Sequence, residues 1–188
     1  MHVKNRWADR AGGAVVAAFA VAGLIAVPVS AADAVTTVQD GAPKPGETSF
    51  ATCPEGTQLV GGGYRLDPGT ADAGGPSEYL EINGPALRAR SWSAKLRAGT
   101  VRAFALCDRT SAPTRTVAGE AKRDGEVSYV ECPAGTGVIA GGFAGTPLTT
   151  DRGDVADVVA TNAPSGNGWA AARKEGWTTA LALCRDAS

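Results

Sequence analysis

Past Val35 the apolar positions do not hold a helical spacing; they alternate with polar ones over short stretches, the period of strands. Ser49 to Thr52 and Val127 to Glu131 read as short strands carrying an aromatic on one face. Gln58 to Val60 and Gly137 to Ile139 resume the pattern after a Cys-Pro-x-Gly-Thr turn, in which Pro fixes φ and Gly accepts a positive one. Tyr79 to Ile82 and Val155 to Thr161 form the next pair, each ended by Asn-x-Pro because proline cannot donate to a ladder. Trp92, Ala94 and Leu96 alternate with Ser91, Ser93 and Lys95, as on a half-buried strand. Val101 to Cys107 and Thr178 to Cys184 are mostly apolar on both faces, as a central strand would be. The pattern predicts an all-β chain with about five strands in each half.

Before Val35 the pattern changes. Lys4, Arg6 and Arg10 precede an uncharged apolar run from Ala14 to Val27, broken by Pro28 and followed by the small-x-small sites Val29-Ser30-Ala31 and Ala32-Asp33-Ala34. This is the pattern of a secretory signal with cleavage expected after Ala34, which makes residues 1–34 a signal peptide. The run is short for a spanning helix, which needs about 20 apolar residues. The remaining chain is expected to be extracellular, without a membrane span, in a compartment where disulfides persist.

That remaining chain reads twice. An offset of 79 sets Thr37-Val38 on Thr116-Val117, Gly46-Glu47 on Gly125-Glu126, Cys53-Pro54 on Cys132-Pro133, Gly62-Gly63 on Gly141-Gly142, and Asn83 and Pro85 on Asn162 and Pro164. From there the offset is 77, setting Trp92 on Trp169, Ala94 on Ala171 and Cys107 on Cys184. The predicted organisation is a first β repeat over 35–108, a linker over 109–115 and a second repeat over 116–188. Four cysteines allow three pairings. Only Cys53–Cys107 with Cys132–Cys184 treats both copies alike and lets each close by itself. Each bridge would close a loop of about fifty residues, worth roughly 4 kcal/mol in the chain-entropy picture. A unit that small has only a marginal core of its own, so two copies stacked on one another are expected to shield a shared face.

Composition narrows the chemistry. The formal net charge is −1, with no basic excess to gather phosphates, so nucleic acid is not an expected partner. The only histidine is His2, inside the predicted signal. The exported chain then has no imidazole for Ser-His-Asp or Cys-His catalysis or for a histidine-bearing zinc site. With all four cysteines assigned to bridges, no free thiol remains, and no cofactor is expected.

Several residues stand out as candidate sites. The run Gly61-Gly62-Gly63 is followed by Tyr64-Arg65-Leu66-Asp67-Pro68, which is no helix start, so it reads as a bulge or a close backbone approach rather than a phosphate loop. Trp92 and Trp169 sit at matching strand positions among small residues and read as core. Trp177 has no aromatic counterpart in the first copy and is the candidate for a binding contact. Asp151, Asp154 and Asp157 cluster after the second glycine run; they are the weak calcium candidates, although their spacing is not that of an EF-hand loop.

Cys-Pro-x-Gly-Thr, Gly-Gly-Gly-aromatic, Asn-x-Pro, Trp-x-Ala and the closing Ala-Leu-Cys together resemble a repeat found in small exported proteins of actinobacterial type. The resemblance covers essentially the whole of 35–188 and departs at Ala140, which replaces the first glycine of the run. It implies export and a cysteine-closed β repeat, and carries over no catalytic residue. The expected fold is all-β and sandwich-like: two tandem homologous disulfide-closed units packed about a pseudo-twofold axis. The expected function is a secreted, non-catalytic module binding an extracellular or cell-surface polymer or protein. The alternatives are a carboxylate-based hydrolase, or an inhibitor or effector presenting the segment Arg65 to Ser77.

Overall fold

The alternating stretches become strands. In the computed structural model, which describes residues 35–39, 44–66, 80–88, 90–97, 99–148 and 157–187, no helix occurs among the described residues. The first half contains β1 (Thr36–Gln39), β2 (Ser49–Thr52), β3 (Gln58–Leu66), β4 (Leu80–Pro85), β5 (Ser91–Leu96) and β6 (Val101–Asp108). The second contains β7 (Thr114–Ala118), β8 (Lys122–Arg123), β9 (Ser128–Glu131), β10 (Thr136–Thr146), β11 (Val159–Ser165), β12 (Gly168–Arg173) and β13 (Trp177–Asp186).

The two halves use the same antiparallel neighbours. The first forms the orders β1-β6-β3 and β2-β5-β4; the second forms β7-β13-β10 and β9-β12-β11, with β8 beside the start of β13. Among the described residues, one ladder joins them. β4 pairs with β10 at Asn83 opposite Phe143 and Ile82 opposite Ala144, fusing β2-β5-β4 and β10-β13-β7, together with β8, into a seven-stranded sheet. Three-stranded β1-β6-β3 and β11-β12-β9 complete a sandwich-like, all-β arrangement. Strand β7 begins inside the expected linker, since Thr114 and Arg115 already lie opposite Arg185 and Cys184.

Both predicted bridges are formed. Cys53 and Cys107 are joined at 2.05 Å, and Cys132 and Cys184 at 1.95 Å. Each anchors a core. The first gathers Leu59, Trp92, Leu96, Val101, Ala103 and Ala105; the second gathers Val130, Phe143, Ala171, Ala180 and Ala182. Successive side chains on a strand point to opposite faces. Ala180, Ala182 and Cys184 of β13 therefore serve the second core, while Leu183 from its other face belongs to the first. This is why β13 is buried on both faces, whereas its counterpart β6 leaves Leu106 38% exposed.

Two local expectations change, and β2 and β9 show which face their aromatics take. The aromatics of β2 and β9 face outward, Phe50 at 47% and Tyr129 at 43% exposure, while Ser49 and Ser128 are fully buried. A serine is short enough to bridge the strands: Ser49 Oγ accepts from Ala103 N at 2.7 Å, and Ser128 Oγ accepts from Ala180 N at 2.8 Å. Strand β5 is buried on both faces, because Ser91 shares a 2.8 Å hydroxyl contact with Thr52 and Ser93 donates to Gly84 O at 3.0 Å. Pro164 does not end its strand: β11 runs to Ser165, and Pro164 lies opposite Trp169. β11 is an edge strand, where a missing N–H costs no ladder bond if it faces outward.

Candidate functional site: the junction cavity between the halves

The glycine runs lie within β3 and β10, and the bulges fall one residue earlier, at Val60 and Ile139. The middle residue of each run, Gly62 and Gly141, admits an indole. A Cβ on Gly62 would run into Trp92, and one on Gly141 into Trp169. The seated ring then needs an acceptor for its N–H. Trp92 Nε1 donates to Asn83 Oδ1 at 2.9 Å, and Trp169 Nε1 donates to Asn162 Oδ1 at 2.7 Å. Each half thus builds one Gly–Trp–Asn unit, its asparagine supplied by the Asn-x-Pro motif.

These units meet at the junction. A cavity of about 380 Å³ is lined by Tyr64 of β3, Asn83 of β4, Phe143 of β10, Asn162 of β11 and Arg173 of β12, with Leu80 and Asp157 to Val159 closing it. Tyr64 and Phe143 occupy equivalent positions in the two halves, as do Asn83 and Asn162. Asn83 and Phe143 pair in the β4–β10 ladder between the halves. Tyr64 and Asn162 share the cavity without a ladder between β3 and β11 among the described residues.

Arg173 and Asp157 form a buried ion pair beside the cavity, with side-chain exposures of 1% and 0%. Arg173 Nη1 donates to Asp157 Oδ2 at 3.4 Å, and Nη2 donates to Leu80 O. Asp157 Oδ1 accepts from Glu175 N at 2.9 Å. The guanidinium lies 5.5 Å from the Phe143 ring centroid. Its Nε is buried without a partner. Burial pushes Arg173 down from its ordinary pKa, opposed by the nearby carboxylates of Asp157 and Glu81. An arginine stays charged even so. Glu81 is itself committed to Lys95 at 2.7 Å and Arg97 at 3.8 Å.

The sequence candidates fall differently. Asp151 and Asp154 lie outside the described residues. Asp157, expected in an acidic loop, is instead buried against Arg173 with both oxygens engaged. No group of three metal-capable side chains occurs among the described residues. Trp177 is 51% exposed, with the Arg123 guanidinium 5.6 Å from its ring, and does not line the junction cavity. A second cleft, about 560 Å³, lies between Asp108–Ala112 and Gly137–Ile139. Sequence reasoning missed Tyr64, Asn83, Asn162 and Arg173. The available signal was the asparagine recurring before each tryptophan, and the arginine standing where the first half has Leu96.

No protein-family model matches the chain, and the comparisons with curated proteins and with solved structures find no relative.

Proposed function

We propose that this protein is an exported, non-catalytic binding module for an extracellular or cell-surface polymer or protein, with the junction cavity as its binding surface. The observation that carries this reading is the convergence of Tyr64, Asn83, Phe143 and Asn162, drawn from both halves, on one cavity beside a buried ion pair. Export is supported by the N-terminal pattern and by the two disulfides, which persist outside the cell. The lack of catalysis is supported by the bonded state of all four cysteines and by the single histidine's place in the signal segment. The cavity's one described carboxylate, Asp157, is committed to Arg173, so the carboxylate pair that glycoside hydrolysis uses has no second member there.

The test is retention of the labelled, oxidised protein on cell-wall, glycan and surface-protein fractions. Wild type and Trp177→Ala should both be retained, and Tyr64→Ala should not. Loss with Trp177→Ala alone would move the site to the β13 surface. Failure of every fraction to retain wild type would overturn the reading.

A further inference from the structure

Among the described residues, the strand pairing between the halves is that of β4 with β10. Ala86 N donates to Ser91 O at 2.8 Å, so Ala86 turns its main-chain groups toward β5. In an antiparallel ladder these groups alternate sides from residue to residue. Pro85 and Asn83 therefore turn theirs away from β5, and β10 receives Asn83 through Phe143. On β11, Pro164 has no N–H to offer and lies opposite Trp169, in the same slot. Asn162, two residues earlier and opposite Ala171, accordingly turns its N–H and C=O away from β12. It lines the cavity shared with Tyr64, and no strand pairs with that edge among the described residues.

The contact of β4 with β10 relies on small residues. A Cβ on Gly142 would run into Asn83 O, and one on Gly84 would lie 3.2 Å from Gly142 Cα and 3.3 Å from Phe143 N. At the matching places β3 keeps a glycine, Gly63 for Gly142, and carries Arg65 for Ala144, while β11 has Ala163 for Gly84.

We propose that the edge of β11 at Asn162, beside Tyr64, takes an extended polypeptide segment by antiparallel main-chain pairing. The proposal rests on the binding-module reading and names its ligand class. An exposed edge is a template for an added strand, with main-chain bonds supplying affinity and adjacent pockets selecting side chains. The chain itself shows what such an edge accepts: at Asn83 it is Gly142-Phe143-Ala144, an aromatic between small residues. The segment sought is neutral, extended and of that kind, its aromatic lying beside Tyr64.

The probe is a fluorescent synthetic peptide with the sequence of residues 136–146, titrated against the oxidised protein by anisotropy. Wild type should bind it. Asn162→Pro deletes the outward N–H and should weaken binding about tenfold or more, whereas Asn162→Ala keeps the main chain, loses the same tryptophan contact and should stay within about twofold. N-methylation of the peptide at its phenylalanine should weaken binding to wild type by a similar factor, a readout that needs no folded variant. The Asn162 amide should gain exchange protection on binding. Absence of binding up to about 1 mM, equal effects of the alanine and proline variants, or an N-methylated peptide that binds unchanged would each overturn the proposal. Wild type retained on a glycan fraction but indifferent to the peptide would leave the module reading standing and sink strand addition. Peptide binding without retention on any surface fraction would do the reverse.

Discussion

Replacing Arg173 by leucine tests the junction most directly, because leucine is what the first half carries at the matching position, Leu96. The substitution removes the 3.4 Å contact to Asp157 and the bond to Leu80 O, and leaves Asp157 with Glu175 N as its remaining hydrogen bond. With Asp157 fully buried, its carboxylate loses the opposite charge that offsets desolvation. Breaking a buried pair from one side costs about 3–5 kcal/mol. The second change, Asp157→Asn, removes the stranded charge while its side-chain oxygen can still accept from Glu175 N. Replacing a buried pair on both sides is often close to neutral. The double variant should therefore recover most of the loss, with a coupling of about 2 kcal/mol or more between sites that touch.

Urea unfolding of the four proteins measures this cycle. With a slope of about 2 kcal/mol per molar, Arg173→Leu should lower the midpoint by roughly 2 M, and the double variant should return to within about 0.5 M of wild type. Exchange at the amides of β4 and β10 should rise in the single variant, because Leu80 O loses its donor beside their shared ladder. A single variant within about 1 kcal/mol of wild type, or a double variant no better than the single, would refute the view that burial of an uncompensated charge governs this site.

Three further outcomes follow from the same geometry. Gly62→Ala and Gly141→Ala should each destabilise by about 1–3 kcal/mol, since each methyl overlaps an indole; near-ultraviolet circular dichroism should show the ring disturbed, and an unperturbed spectrum with unchanged stability would sink the close-approach account. Replacing both Cys53 and Cys107 by alanine should lower stability by about 3–4 kcal/mol in thermal or urea unfolding and leave the Cys132–Cys184 bridge intact by peptide mapping; free Cys132 and Cys184 thiols, or disulfides between chains, would contradict independent closure of the halves. The Asp108 carboxyl is held below its ordinary value chiefly by the Thr110 amide and also by the Thr110 hydroxyl, both donating at 2.8 Å. A depressed folded value means the turn is favoured above the unfolded carboxyl's pKa and loses that support as pH falls through the folded one. An NMR titration of Asp108 should therefore have its midpoint under the ordinary aspartate value, and Thr110→Val should raise it.

Much of the strand pattern could be read before any coordinates. Ser49–Thr52 was bounded correctly, and β9 begins one residue after Val127, because a cysteine-proline turn punctuates both sharply. That turn closes as expected, with φ of 78° at Gly56 and Gly135, and with Thr57 and Thr136 donating their hydroxyls to Pro54 O at 2.8 Å and Pro133 O at 2.7 Å. The face each residue takes was harder to read. The pattern put an aromatic on one face of β2 and β9 without saying which face is buried; the serine hydroxyls reach the main chain of β6 and β13 and go inside. The cavity could not be read because it depends on which edges meet. Nothing in one half marks Asn83 as facing the other, and Arg173 looks like an ordinary strand charge until Asp157 and Leu80 close around it.

The unequal treatment of equivalent strands has a physical origin in very few side chains. The outer face of β6 carries Phe104 and Leu106, and that of β13 carries Leu181 and Leu183. Leu183 joins the first core beside Leu59, and Leu181 would stand 3.1 Å from a Cβ on Gly84, so the second half lays its outer face against the first. Leu106 gains no such cover. Both leucines are apolar, so hydrophobicity alone does not choose between them. Gly84 contributes to the difference: its missing Cβ leaves room for Gly142 and Leu181 beside β4, where the matching residue of β11 is Ala163. A Gly84→Ala change should therefore weaken the β4–β10 ladder and leave both disulfide-closed cores in place. Exchange protection lost at Asn83 and Phe143 but kept at Ala105 and Ala182 would be the signature. Uniform loss across all four would mean that the halves have no stability apart from their junction.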